Sequence, residues 1–386
     1  MRLEAKGKKN LKPLAFSLKP KNMDLKSLEH KICDGGRINE EEALFLYQSS
    51  DIHALGRMTE HVRRRLNENR AWYIVNRHIN YSNVCVDDCK FCSFARKEGE
   101  RGAFTYSIEQ MLEKGERGAA QGATEFHIVG GLHPHLPYSY YLDLLRALKA
   151  RFPAIHLKAL TAVEISHLAR LAHGSIEQVL RDLMDAGLGS LPGGGAEMFS
   201  PRVRELMCPG KLFVDEWLDV HRTAHRLGLR SNATMLYGHV ERPEEIIDHL
   251  AYLRALQDET GGFLTFIPLR FNSKNTRIMG VICTGLKDLK VHSVSRIYLD
   301  NFPHLKAYWT MLGVKAAQVM LRYGADDFDG TVIDEKIVHM AAAPSPKMLP
   351  VSQIRRLLEE AGRDPVERDT LFQPVQRSAP LPVAVA

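Results

Sequence analysis

From residue 71 onward, short β-branched or apolar runs alternate with amphipathic helical stretches, about eight times in roughly 260 residues. The runs are AWYIVNRHI (71–79), TEFHIVGG (124–131), AIHLKALT (154–161), LGSLPGGG (188–195), LRSNATMLYG (229–238), GFLTFIPLRF (262–271), LKAYWTML (305–312) and DDFDGTVI (326–333). Between most of them lie segments of helical period, such as SIEQMLEKGERGAAQ, YSYYLDLLRALKARF and DEWLDVHRTAHRLG. A strand followed each time by a helix demands parallel pairing, with the helices covering the sheet. The expected fold is therefore α/β, a (β/α)8 TIM-type barrel over residues 71–340. An open doubly wound sheet is the runner-up, and it would usually use fewer strands or a longer chain. Glycines end the second and fourth runs, where a ligand can approach the backbone at the C-terminal mouth. No sequence repeat suggests a solenoid.

The flanks are simpler. Residues 27–70, with NEEEALFLYQSS and LGRMTEHVRRRLNE, read as an N-terminal helical segment. Residues 341–386 read as one helix followed by a Pro-containing tail. The formal net charge of +6 sits in residues 1–26, where eight basic side chains face two acidic ones. The remaining chain balances at 44 against 44, so the body carries no basic field to draw it to a nucleic acid. The first 26 residues read as a flexible, solvated basic tail. No apolar run approaches the ~20 residues of a membrane span, and the start lacks a secretory apolar region. The reading is a cytoplasmic protein with no membrane partner.

Such a chain does not use its six cysteines as a disulfide framework. Cys33, Cys208 and Cys283 stand alone and read as small buried apolar residues. Cys85, Cys89 and Cys92 do not: they crowd into NYSNVCVDDCKFCSF (80–94), on a loop leaving the first strand at the barrel mouth. Structural zinc prefers four protein ligands, so a zinc reading needs a histidine from elsewhere, such as His127 or His133. An iron–sulfur cubane normally takes four thiolates, and three leave one iron open to a small molecule.

The C-x3-C-x2-C spacing, with Phe91 before the last cysteine, resembles the signature of the radical S-adenosylmethionine enzymes. That resemblance implies a [4Fe–4S] cluster on Cys85, Cys89 and Cys92, with S-adenosylmethionine chelating the open iron. One electron then splits the sulfonium to methionine and a 5′-deoxyadenosyl radical. It also implies that Phe91 packs on the adenine and that Gly130-Gly131, in FHIVGGLHP (126–134), meets the methionyl amine. Plain core packing is the alternative for Phe91, and an ordinary turn for the glycines. Thr161, Glu164 and Glu197 lie near the third and fourth strand ends. Glu197 is the choice for the two ribose hydroxyls, whereas Glu164 also suits a helix N-terminus. Asn232, Thr234 and Gly238 come from the fifth strand. His133 is a candidate to position a substrate carboxylate or move a proton, against a backbone-bonded loop histidine. Arg270 is a candidate carboxylate clamp, against a salt bridge between loops.

A longer resemblance, over roughly residues 40–372, runs through EFHIVGGLHP, LPGGGAEMFSPRVRELMCP and GADDFDGTVIDEKI. It is to the radical enzymes of the futalosine route to menaquinone and of deazaflavin formation. It implies that the adenosyl radical adds to the methylene of 3-[(1-carboxyvinyl)oxy]benzoate, an enol ether of 3-hydroxybenzoate, with rearrangement and loss of CO2 or bicarbonate. S-adenosylmethionine is then a co-substrate, and a reducing donor such as flavodoxin or ferredoxin is a partner. The cyclase of the same route and the deazaflavin-forming enzyme are the alternatives. Lys158, Arg230, Arg270 and His133 are the cations considered for the dianionic substrate. FIPLRFNSKNTRIMG (266–280) departs from the family pattern, as does Ser82. A non-catalytic iron–sulfur or zinc protein is the reading from another class.

Overall fold

The computed structural model describes residues 23–278, 280–343 and 345–377. Residues 1–22 of the expected basic tail, and 378–386 of the Pro-containing one, lie outside the described residues. Three helices come first: α1 (Leu25–Cys33), α2 (Glu40–Gln48) and α3 (Ile52–Asn67). The first strand follows in two pieces, β1 (Arg70–Ile74) and β2 (Asn76–Ile79). Seven more succeed it: β3 (Glu125–Ile128), β4 (His156–Ala159), β5 (Ser190–Leu191), β6 (Arg230–Tyr237), β7 (Phe263–Arg270), β8 (His304–Leu305) and β9 (Asp327–Gly330). Among them run α4 (Ile108–Ala120), α5 (Tyr138–Arg151), α6 (Ala162–Leu171), α7 (Ile176–Asp185), α8 (Pro201–Met207) and α9 (Val214–Arg226). The later ones are α10 (Pro243–Thr260), α11 (Gly285–Tyr298), α12 (Trp309–Leu312) and α13 (Val314–Met320). The chain then forms α14 (Ile337–Met340), α15 (Val351–Glu360) and β10 (Asp364–Glu367).

Strands β2 to β8 form one sheet in sequence order, every neighbour parallel. The sheet curls and meets itself. Lys306 bridges to Asp327, Arg77 bridges to Ile333, and β9 pairs with β1, so the result is a TIM-like α/β barrel. Its first stave is shared: β10 occupies the free side of β1, from Arg70 opposite Asp364 to Tyr73 opposite Glu367, while β3 occupies that of β2.

Local sequence sets the helix starts, and packing holds them. Ser107 with Gln110, and Thr161 with Glu164, close reciprocal capping boxes on α4 and α6. Such a cap is worth about 1 kcal/mol. By contrast α7 buries Val179, Leu180 and Leu183 on one face, at about 1.5–3 kcal/mol for each side chain. Burial dominates.

Two expectations need correcting. Of LKAYWTML only Leu305, which ends the strand His304–Leu305, and the Lys306 bridge are extended, and Trp309–Leu312 is a helical turn. Trp309 is buried and donates through Nε1 to the Gly330 carbonyl (2.9 Å), an anchoring that a short apolar run cannot announce. The expected helix and tail after residue 341 also holds a strand, β10. Pro365 is tolerated there because β10 lies at the sheet edge and can spare an N–H.

Candidate active site

The loop after β2 is pinned at both ends of its cysteine segment. Cys85 N–H donates to the Arg96 carbonyl (3.0 Å) and Val86 N–H to that of Leu132 (3.0 Å). Lys97 Nζ reaches back to the carbonyls of Cys85, Val86 and Asp87 at 3.0, 3.1 and 3.3 Å. Lys90 N–H donates to Met207, and Arg277 holds Asp88 through a 2.7 Å ion pair. The loop is thus shaped by its own protein partners.

Beneath it, Gly130 and Gly131 allow a very close approach. A Cβ on Gly131 would sit 2.2 Å from the Val84 carbonyl oxygen, and one on Gly130 would sit 2.6 Å from the Tyr81 ring. Their N–H groups donate to Glu164 (3.0 Å) and Ser82 (2.9 Å). Glu164 is a hub: it caps α6 at Thr161, takes the Tyr81 hydroxyl at 2.8 Å, and is fully buried. Burial raises its pKa despite these hydrogen bonds.

The barrel mouth opens into a cavity of ≈ 330 Å³. Cys85, Cys89, Cys92, Phe91, Gly130, Gly131, Thr161, Glu197 and Asn232 all line it. Lys211, which sequence reasoning missed, stands among them, 2.7 Å from Glu197 and 5.3 Å above the Phe91 ring. Burial opposes its charge, but Glu197, together with Cys89 whenever that sulfur is a thiolate, outweighs burial and raises its pKa. Deeper in the barrel, the lining is His78, His127, Lys158, Lys306 and Asp329. The imidazoles of His78 and His127 stack at 4.4 Å, and burial pushes both toward the neutral form. For His78, His127 and Lys158 the signal was present, as polar residues inside strand runs that are otherwise largely apolar.

Three expected residues are not brought to the cavity. His133 lies in the loop before α5, where its Nδ1 accepts the N–H groups of His135 (3.0 Å) and Leu136 (3.1 Å). Arg270 turns to the Cys283 carbonyl (2.6 Å) and the Asp288 carboxylate (3.5 Å). Gly238 packs on Cys283, where a Cβ would come within 2.6 Å of the sulfur, at a left-handed φ of 88°. Of the other basic residues considered for the substrate, Lys158 lines the cavity, whereas Arg230 is exposed and bonded to Gly261.

The donor set fits the cluster that the resemblance implies. Cys85, Cys89 and Cys92 are free, partly buried thiols on one cavity wall. Among the described residues, no three His, Cys, Asp or Glu side chains converge where one ion could sit. Three thiolates are one short of structural zinc's usual four protein ligands, whereas an iron–sulfur cubane held by three keeps one iron open. Burial pushes the Cys85 and Cys89 thiols up, so their thiolate form depends on a bound cation.

Residues 79–253 match the radical SAM superfamily, and residues 260–381 match the CofH/MqnC C-terminal region. The chain is 44% identical to aminodeoxyfutalosine synthase of Thermus thermophilus, covering 90% of this chain and 95% of that one. It is 42% identical to that of Streptomyces coelicolor, at 93% and 98% coverage. It is also 40% identical to a 5-amino-6-(D-ribitylamino)uracil–L-tyrosine 4-hydroxyphenyl transferase of Methanopyrus kandleri, at 88% and 94%. In fold it resembles methylornithine synthase (PylB), with a TM-score of 0.71 and 17% identity over 88% of this chain and 97% of that one.

Proposed function

The chain belongs to the radical SAM superfamily, in the branch with a CofH/MqnC C-terminal region, and from that premise we propose that it is an aminodeoxyfutalosine synthase. The observation that carries this is the 44% identity to such an enzyme, which extends over 90% of the chain. In the proposed reaction the 5′ carbon of the adenosyl group joins the methylene of 3-[(1-carboxyvinyl)oxy]benzoate. The aryl group moves from oxygen to carbon, and the vinyl carboxylate departs as CO2 or bicarbonate with one electron given back, leaving methionine and 6-amino-6-deoxyfutalosine. When bound, a [4Fe–4S] cluster supplies the single electron that opens the sulfonium.

The chain's own residues divide the remaining work. Cys85, Cys89 and Cys92 are proposed as the cluster ligands, supported by their shared wall and the clamped loop. Phe91, Thr161, Glu197 and Asn232 are proposed to hold S-adenosylmethionine, since all four line the same cavity. The Gly130-Gly131 corner lets that loop lie flat on the barrel mouth. A carbon radical must be kept from solvent, and an enclosing barrel does this. The electron donor is proposed to be a small low-potential protein of the flavodoxin or ferredoxin class.

The test is mass spectrometry of the products after anaerobic reconstitution, with S-adenosylmethionine, a reductant and the enol ether. The expected product is the nucleoside adduct. Release of 5′-deoxyadenosine with a cyclised product, or aryl transfer from tyrosine to a ribitylaminouracil, would replace this assignment with that of a sister enzyme.

A further inference from the structure

Barrels of this architecture commonly fill their interior with layers of branched apolar side chains. Here one side of the cavity lining, from β2 to β4 and from the end of β8 to β9, is polar and charged, opposite apolar Leu236, Ile267 and Leu269. His78 on β2, His127 on β3 and Lys158 on β4 stand side by side in register. Lys306, just past β8, and Asp329 on β9 join them around the cavity. Lys158, Lys306 and Asp329 are 4%, 3% and 3% exposed. Lys158 holds Glu125 at 2.6 Å, and Lys306 holds Asp329 and lies 3.6 Å from Asp327. An ammonium carries three N–H donors, so these pairings leave each lysine at least one donor to spare. Asp329 Oδ2, also buried, has no hydrogen-bond partner. Two buried ion pairs are less stabilising than an apolar layer of the same volume would be. Their place on the cavity wall points to a ligand.

Resting on the reaction assigned above, we propose that this floor is the subsite for the aromatic-ring carboxylate of the substrate, held by Lys158 and Lys306. The two carboxylates of the enol ether have different fates. The vinyl carboxylate leaves, and a cation clamped on it would stabilise the ground state against departure. The ring carboxylate stays in the product, so clamping it orients the substrate throughout without opposing any bond change. Position agrees with chemistry. The cysteine loop leaves the C-terminal end of β2 at the mouth, whereas Lys158 sits within β4. A substrate with its vinyl group toward the adenosyl carbon directs the ring carboxylate, meta to the ether oxygen, toward the floor.

The experiment is a cycle between substrate and protein. With the wild-type holoenzyme, replacing the ring carboxylate by a carboxamide lowers kcat/KM for the adduct on the order of 10²–10³-fold, as loss of a buried charge pair does. The variants are Lys306→Met with Asp329→Asn, and Lys158→Met with Glu125→Gln, so that no buried carboxylate is left unpaired. Each is expected to lose a similar factor with the dicarboxylate and little more with the carboxamide. The ratio of free 5′-deoxyadenosine to adduct should rise, which a purely structural role would not cause. If the wild type forms the adduct and the two losses simply multiply, the floor proposal alone falls. If the wild type forms no adduct from the dicarboxylate, the reaction assignment falls, and the floor proposal with it. A variant that fails to fold is replaced by Lys306→Gln or Lys158→Gln, read by the same cycle.

Discussion

A side chain acts here through the few atoms it touches, and Cys89 is the plainest case. It lines the cavity beside Lys211, on a loop whose shape is fixed by other residues. Cys89→Ala is therefore expected to bring iron content after reconstitution to background, with the circular dichroism spectrum and Tm near wild type. A variant that keeps its iron would remove Cys89 from the ligand set. Lys97 tests the loop itself. Its ammonium serves three carbonyls from an exposed position, so Lys97→Met should cost about 1 kcal/mol of loop order. A chelator should then strip iron several-fold faster than from wild type, and an unchanged rate would mean that the loop holds its shape unaided. The cysteines were legible in the sequence because their spacing is local. Lys306 and Asp329 were not, since only barrel closure brings them to one cavity. His133 and Arg270 misled for the converse reason: each lies near a strand end, but backbone or carboxylate partners turn it away.

An element's stability depends on what covers its polar groups. β10 delivers Arg368 to Asp327 at 2.6 Å, deep under the barrel, with the guanidinium 4.0 Å over the Phe372 ring. Arg368→Met leaves buried Asp327 with only the more distant Lys306 ammonium at 3.6 Å, at a cost of about 3 kcal/mol. Thermal melts should show a lower Tm, with much of the loss recovered by adding Asp327→Asn. If the double variant melts no higher than the single, the pair is not what ties β10 down. The sequence hid this strand because DPVE has weak β-propensity and its partner β1 is far away along the chain. Helix α14, whose Ile337 and Val338 line the cavity, has its own control. Glu335 accepts the N–H groups of both (2.8 and 2.9 Å), and its carboxylate lies 3.3 Å from His339. That side-chain pairing, working against burial, raises His339 to about 9. A raised pKa in the fold means stability fully present below the ordinary value of about 6.5, and lost as pH climbs through the folded one. Wild type should therefore melt above His339→Gln near pH 6, and the gap should vanish above about pH 9. A gap that persists unchanged at high pH would assign the effect to packing.

At the scale of the whole molecule, two matched segments divide at about residue 256, yet the architecture does not divide there. The alternation of strands and helices made the barrel legible. What it could not convey is how the wall shuts, because Lys306 meeting Asp327 and Arg77 meeting Ile333 depend on the ends of the fold finding each other. β6 and β7 lie on either side of the boundary and are paired from Ser231–Phe263 to Tyr237–Arg270. Phe263, just beyond it, packs at 4.8 Å against His225 and at 5.3 Å against Phe302. A fragment ending at Gly261 would keep β1 to β6 but lose β7, β8, β9 and β10. It would expose β6 on one side and the first strand on the other, two open edges with apolar faces. Such a fragment is expected to be insoluble, or to melt without a cooperative transition. Co-expression with residues 262–386 should restore a soluble complex that reconstitutes its cluster. A monomeric fragment unfolding in one sharp urea transition would show instead that the first six strands hold a core of their own, and that the cysteine loop needs no closed barrel beneath it.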